Sequence, residues 1–349
     1  MMNRGAPRPT MRDVAAAAGV SLKTVSRVVN NESGVRPETE AAVRDAIALL
    51  GFHRNDLART LRGGPTGTIG LVIQDVANPF YSLVARGVED VAREAGRLMI
   101  LGSSGDGHLR EHVYRREREL TASLCERRVD GLLIVSSGAA DRRLAEYGTP
   151  VVYIDQPGPL DVDTVLTDNA GGARAAVLHL LARGHRRIAC LLDRTEVFTA
   201  RERHRGYLAA LAERGIAEDP ALARMMIQDA VGAERTMAEL LGLPDPPTAV
   251  LTGNNLLTAG ALRAIRAAAR PVALVGFDDF ELADLLSVTV VAHDPAAMGR
   301  RAAELLERRI GGHAGPPEHV LNPTRLVERG SGEIPRRARA VPVRWSRGR

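Results

Sequence analysis

The chain has 349 residues, 45% hydrophobic and 26% charged, with a formal net charge of +5; this is enough for two to three domains with buried cores. No uninterrupted apolar run reaches the about 18 residues of a membrane span, and the N-terminal residues lack the apolar stretch of an export signal, so a cytoplasmic protein without a membrane partner is expected. Cys125 and Cys190 lie far apart with no CxxC spacing, which implies neither a disulfide framework nor a cysteine zinc site.

Positive charge gathers at the two ends. Met1–Gly64 carries ten basic and six acidic residues and Pro335–Arg349 carries six arginines and no acid, so the stretch between them is net negative. Termini that meet phosphates around a middle with another task would look like this.

The first elements are helical. In Thr10–Asn30 (T-M-R-D-V-A-A-A-A-G-V-S-L-K-T-V-S-R-V-V-N), Val14, Ala15 and Ala18 fall at helical spacing and Gly19 breaks the helix. Ser21 can cap a second helix that buries Val25 and Val28. This reads as a helix-turn-helix, whose small alanines let the helices cross closely. Leu22, Lys23, the only lysine of the chain, Ser26 and Arg27 then share the exposed face of the second helix. Such a face suits a DNA major groove, where Lys and Arg read guanine O6 and N7 and an apolar side chain meets a thymine methyl. A third helix opens at Arg36-Pro37-Glu38-Thr39 and would bury Val43, Ile47 and Leu50, closing a small core. Next, Asn55–Arg62 gives about two helical turns, ended by Gly63-Gly64-Pro65. A segment this short forms a helix only against a partner.

From Thr68 strands and helices alternate. Strands are predicted over Ile69–Gln74, Leu98–Gly102, Gly131–Val135, Val151–Asp155, Ile188–Leu192, Ala249–Thr252 and Val272–Gly276. Helices are predicted over Phe80–Ala95, Arg110–Arg127, Ala170–Arg183, Ala200–Glu213, Leu256–Ala268 and Pro295–Ile310. The alternation predicts an α/β fold of parallel sheets covered on both faces, with ligands beyond the carboxyl ends of the strands. Polar and aromatic residues collect there: Asp75, Asn78, Phe80, Tyr81, Ser103, Asp106, Ser136, Ser137, Asp155, Asn254, Asn255, Asp278 and Asp279. Helix capping explains any one of them, but not the set at successive strand ends. The tail Arg336–Arg349 is predicted to be disordered, with Trp345 its one sizeable apolar anchor, and has no leucine heptad.

Enzyme readings fare poorly. With its one lysine in the head, the chain has no G-x-x-x-x-G-K loop and no Schiff-base lysine in the middle stretch, and no G-x-G-x-x-G follows the first strand. His108-Leu109-Arg110-Glu111-His112 has the H-x-x-E-H form of an inverted zinc site, but no third ligand suggests itself and the helix it opens is of a solvated kind. No catalytic site, metal or cofactor is expected.

Motif by motif, the chain resembles the lactose-repressor (LacI/GalR) family of transcriptional regulators from about Thr10 to Gly332. The resemblance rests on the helix-turn-helix pattern, A-R-x-L at Ala58–Leu61, N-P-F at Asn78–Phe80, R-V-D-G at Arg128–Gly131, R-G-H-R-R-I-A at Arg183–Ala189, A-R-E-R at Ala200–Arg203 and V-G-F-D-D at Val275–Asp279. It implies a helix-turn-helix head over 1–54, a hinge helix and linker over 55–65, a two-lobed core like the periplasmic sugar-binding proteins over 66–334, and a basic tail over 335–349. Lobe one would comprise about 66–162 and 292–321, and lobe two about 163–291 and 322–334. Similarity further implies a homodimer on a near-palindromic double-stranded operator, nucleoid-associated, acting as a repressor. Its base readers would be Leu22, Lys23 and Arg27; its phosphate contacts Thr10, Ser21, Thr24, Ser26 and Asn30; and Asn55 and Leu61 its hinge contacts, Leu61 entering the minor groove. In the core, Asn78, Phe80, Tyr81, Asp155, Arg201, Asn254 and Asp278 match positions that line the effector cleft. Rings for stacking with Asp, Asn and Arg for paired hydrogen bonds suit a polyhydroxylated ligand such as a sugar. Asn255 departs from a frequent Asp, and His293-Asp294 from a common Arg-Gln pair. A sugar receptor with no transcriptional role would share this core, but not the head or the lack of an export signal.

Overall fold

The computed structural model describes residues 9–29, 32–52, 64–105, 110–138, 142–159 and 161–336. The chain divides into two compact units, Met1–Thr66 and Gly67–Arg349.

In the first unit, α1 (Met11–Ala18), α2 (Leu22–Val29) and α3 (Pro37–Leu50) surround a core of Val14, Val25, Val28, Val43, Ala46 and Phe52. Ile47 and Leu50, expected in this core, pack against it only partly buried, while Ala46 and Phe52 are buried in it. Thr10 caps α1 in a reciprocal box: its hydroxyl accepts from the Asp13 amide while the Asp13 carboxylate accepts from the Thr10 amide. Gly19 stops the helix at φ 64, the left-handed region where a side chain is strained. Ser21 Oγ then accepts from the Thr24 amide at 3.1 Å and starts α2. Pro37 opens α3 at its first position, where its missing N–H costs nothing.

The second unit holds two six-stranded sheets. The first contains β1 (Thr68–Ile73), β2 (Leu98–Ser103), β3 (Gly131–Val135), β4 (Val151–Ile154), β5 (Thr164–Thr167) and, late in the chain, β11 (His319–Asn322), in the order β11-β5-β4-β3-β1-β2. The second contains β6 (Ile188–Leu191), β7 (Ala223–Arg224), β8 (Ala249–Thr252), β9 (Ala273–Phe277), β10 (Thr289–Ala292) and β12 (Arg325–Val327), in the order β12-β10-β9-β8-β6-β7. Pairing is parallel apart from β10 with β12. The chain passes between sheets after β5, after β10 and after β11. The first passage therefore lies beyond Thr167, not near residue 162, because Val165 pairs with Ile154 in the first sheet.

Helices cover both faces of each sheet. On the first, α4 (Pro79–Glu94) and α10 (Pro295–Ile310) share one side with the core of Ile69, Leu71, Val84 and Leu306, and α5 (Arg110–Glu126) lies on the other with Leu124 and Cys125. On the second, α6 (Asn169–Ala182) and α7 (Phe198–Ala212) cover one side, and α8 (Ala230–Leu241) and α9 (Asn255–Ala267) the other. Buried on both faces, the strands read as near-continuous apolar runs. Helices α4 and α10 cross closely. A Cβ on Gly87 would stand 2.0 Å from the Ala296 carbonyl oxygen, and one on Gly299 2.1 Å from that of Val84. Among the described residues no helix is long and apolar enough to cross a membrane.

Candidate functional site

In the first unit α2 turns Val25 and Val28 inward, which leaves Ser21, Leu22 and Lys23 exposed and Thr24, Ser26 and Arg27 part-buried. Leu22, although apolar, is 47% exposed. Arg27 lies 4.0 Å from Glu32, a loose pair between half-exposed partners. Thr10, expected at a phosphate, is exposed and engaged by its capping box, as is Ser21 by its bond to Thr24. Asn30, Asn55 and Leu61 lie outside the described residues, as do the hinge over 55–62, the His108 end of the H-x-x-E-H motif and the tail over 337–349.

In the second unit a polar cleft lies between the sheets, at the carboxyl ends of their strands, lined from one side by Asp75, Asn78, Phe80, Tyr81 and Asp155 and from the other by Asp193, Arg203, Asn254 and Asp278. Asp155 follows β4 and Asp278 follows β9, each third in the order of its sheet. Both adopt positive φ, 65° and 67°, uncommon for residues other than glycine, and both line the same space. Burial is the largest influence on Asp278 and would raise its pKa; Arg203, the His293 imidazole and the Asn255 amide outweigh it and hold the carboxyl below its ordinary range. His293 Nε2 stands 3.1 Å from Asp278 Oδ1, and Arg203 3.5 Å from it. Asp155 goes the other way: burial raises its pKa, with Arg203 and His293 only partly offsetting it. The Tyr81 phenol is pushed well up by burial and then by Asp155, Asp193, Asp278 and Asp75, which marks how closely four carboxylates converge.

Hydrogen bonds cross the cleft. Asn255 Nδ2 donates to Asn78 Oδ1 at 3.2 Å, and the Phe198 amide donates to Gln156 Oε1 at 3.2 Å. Asn78 Oδ1 also caps α4 and Asn254 Oδ1 caps α9, so these carbonyls are already engaged. Phe80 meets Tyr81 edge to face at 5.0 Å and His293 at 5.7 Å.

Of the residues the sequence places in the cleft, Asn78, Phe80, Tyr81, Asp155, Asn254 and Asp278 come together there. Arg201 does not. It is exposed and turns its guanidinium to the carbonyls of Thr195 and Glu196. The arginine of α7 that lines the cleft is Arg203, 6% exposed, which donates from Nε to Asn169 Oδ1 at 2.7 Å and to the Gly253 carbonyl, and stacks 3.8 Å above the Phe277 ring. The signal was in the periodicity: Ala200, Arg203, Tyr207, Ala210 and Leu211 form the buried stripe of α7, and Arg201 is off it. Asp193, Arg194 and Gln156, at strand ends like the rest, were missed, and His293, one residue past β10, stood out only as a departure from an Arg-Gln pair.

Among the described residues one cluster, His179, Glu328 and Glu333, has the spacing of a metal site. Its cation position is taken by Arg183, which bonds His179 Nδ1 at 3.0 Å and Glu328 at 3.1 Å.

Comparison with known proteins agrees with both units. Residues 10–55 match the model of bacterial regulatory proteins, lacI family, and residues 177–332 that of a periplasmic binding protein-like domain. The HTH-type transcriptional regulator GalS of Salmonella typhimurium is 34% identical, over 92% of this chain and 96% of its own length. The structure of a transcriptional regulator CelR–cellobiose complex superposes with TM-score 0.69 at 34% identity, covering 93% of this chain and 100% of that one. That of the lac repressor dimer bound to operator and the anti-inducer ONPF superposes with TM-score 0.82 at 27% identity, covering 93% and 99%.

Proposed function

The chain belongs to the lacI family of bacterial regulatory proteins and is a DNA-binding transcriptional regulator, and from that premise we propose that it is a repressor whose operator affinity is set by a carbohydrate-like effector in the cleft of its second unit. The observation that carries this reading is the cleft itself: Asp155 and Asp278, from two different sheets, are turned into one space beside Arg203 and the Phe80 and Tyr81 rings. Forked donors and paired acceptors beside aromatic faces recognise adjacent hydroxyls. The CelR relative with cellobiose bound supports a sugar as the ligand.

On DNA, Leu22, Lys23 and Arg27 read base edges in the major groove, while Thr10, Ser21, Thr24, Ser26 and Asn30 hold phosphates. Asn55 and Leu61 add hinge contacts, Leu61 as a minor-groove wedge. A homodimer would present two heads to a near-palindromic operator, as the lac repressor dimer supports. We place the protein in the cytoplasm, on the nucleoid.

The mechanism is a shift of population. The lobes touch across the cleft through the Asn78–Asn255 and Gln156–Phe198 bonds, and a ligand that bridges them favours the closed arrangement by its differential affinity. Linkage requires that the change in operator affinity equal the change in effector affinity on DNA. The test is a thermal-shift screen of mono- and disaccharides, followed by fluorescence anisotropy on operator DNA selected by the protein from a random pool. A sugar that raises the melting temperature and changes operator affinity is the expected result; binding of no DNA sequence in preference to any other would refute it.

A further inference from the structure

The charges around the cleft do not cancel. Asp75, Asp155, Asp193, Glu196, Asp229 and Asp278 line it, against the guanidiniums of Arg194 and Arg203. Of those two cations only Arg203 is fully engaged; Arg194 keeps a buried Nε with no hydrogen-bond partner among the described residues. Arg203 is held by Asn169, the Gly253 carbonyl and the Phe277 ring, and with His293 it faces Asp278. Arg194 lies 3.8 Å from Asp193. Asp75 and Asp229 accept from the amides of Ala77 and Gly232 in their own turns.

The charges of Arg203 and His293 reach Asp155 too, but do not offset its burial. Its Oδ1 is buried with no hydrogen-bond partner among the described residues, and its backbone is left-handed. A buried carboxylate is stable as an anion only when it is both hydrogen-bonded and matched in charge. A hydroxyl supplies the bond and leaves the charge; an ammonium supplies both. The Phe80 and Tyr81 rings, which also line the cleft, add faces that attract a cation.

From the unpartnered Asp155 carboxylate and the acid excess of the cleft we infer that the effector is a polyhydroxylated amine, its protonated nitrogen against Asp155 and its hydroxyls on Asp278 and Arg203. The inference rests on the reading of this cleft as the effector site, and names the ligand class for it.

The test uses the full-length protein and three matched sugars in each of two series: glucose, glucosamine and N-acetylglucosamine, and galactose with its two counterparts. Titration calorimetry and thermal shift are run at pH 6, where the sugar amine is protonated. In at least one series the free amine should bind about tenfold tighter than both the hydroxyl and the N-acetyl form, the worth of one charge-assisted bond. Asp155→Asn should erase that preference without lowering the unliganded melting temperature. A neutral or N-acetyl sugar that binds as tightly as its amine overturns the amine and leaves the cleft as the effector site. An amine preference that survives Asp155→Asn, or a variant destabilised without ligand, overturns the role of Asp155. Silence from all six sugars in both binding and operator affinity counts against the amine and the cleft together.

Discussion

Replacing Arg203 and Arg201 by alanine separates the cleft arginine from its neighbour in sequence. Arg203 is buried, bonded to Asn169 and the Gly253 carbonyl, packed on Phe277 and paired with Asp278, itself only 9% exposed. Arg203→Ala leaves the Asp278 carboxylate with the His293 and Asn255 contacts alone. Removing one partner of a buried pair costs about 3–5 kcal/mol. For a domain of this size each kcal/mol lowers the midpoint by about 2–4 °C, so the core should melt about 6–20 °C lower. Arg201 is exposed and its bonds go to two nearby carbonyls, so Arg201→Ala should stay within about 0.5 kcal/mol of wild type. The pH dependence has a definite sign. Asp278 is held below the ordinary carboxylate range in the folded protein, so its stabilisation is present above its unfolded pKa, about 3.9, and is lost as pH falls through the folded value. The gap between wild type and Arg203→Ala should therefore narrow below about pH 4. Differential scanning fluorimetry of both variants across pH, with urea melts for the free energies, measures all of this. An Arg203→Ala core that melts with wild type, or an Arg201→Ala core that loses as much as Arg203→Ala, would refute the assignment.

Gly299→Val should destabilise the core by at least about 1–3 kcal/mol, since a Cβ there meets the Val84 carbonyl on the facing helix; a urea melt with an unchanged midpoint would contradict the crossing. Lys23→Ala should lower discrimination between operator and mutated operator by about 1–3 kcal/mol while the core melt stays put, and anisotropy on both DNAs checks it. Thr10→Ala removes the capping box and should loosen the head by about 0.5–2 kcal/mol, which Thr10→Ser should spare. Hydrogen exchange of the head amides in the full chain would show it, and equal protection in both variants would dismiss the cap.

How far the sequence was legible depends on which residues carry a local signal. The head was readable because Val14, Gly19, Ser21, Val25 and Pro37 each perform there the local task their chemistry suggests. The cleft was readable at Asn78, Asp155, Asn254 and Asp278, because each directly follows a strand or caps a helix after one. The short strands β5, β7, β10, β11 and β12 were not found. Runs of two to four residues are legible only when almost wholly apolar, as in β4 and β6, and β5, T-V-L-T, decides where the lobes divide. Missing β10 also hid the role of His293, whose position against Asp278 comes from that strand. Helix α8 escaped because a glycine in its first turn, Gly232, and its alanine-rich face blur a stripe that Met237, Leu240 and Leu241 complete. Arg201 and Arg203 differ by two residues in one motif, and only the helical phase of α7 tells which one faces inward.

Whether occupancy of the cleft governs DNA binding is tested most directly by reciprocity. The affinity of the full-length protein for its selected operator is measured with and without a saturating cleft ligand, and the affinity for that ligand with and without saturating operator. The two ratios are expected to be equal and to differ from one, and Asp278→Ala, which cripples the cleft, should bring both to one. A ligand that binds the cleft yet leaves operator affinity unchanged would contradict it.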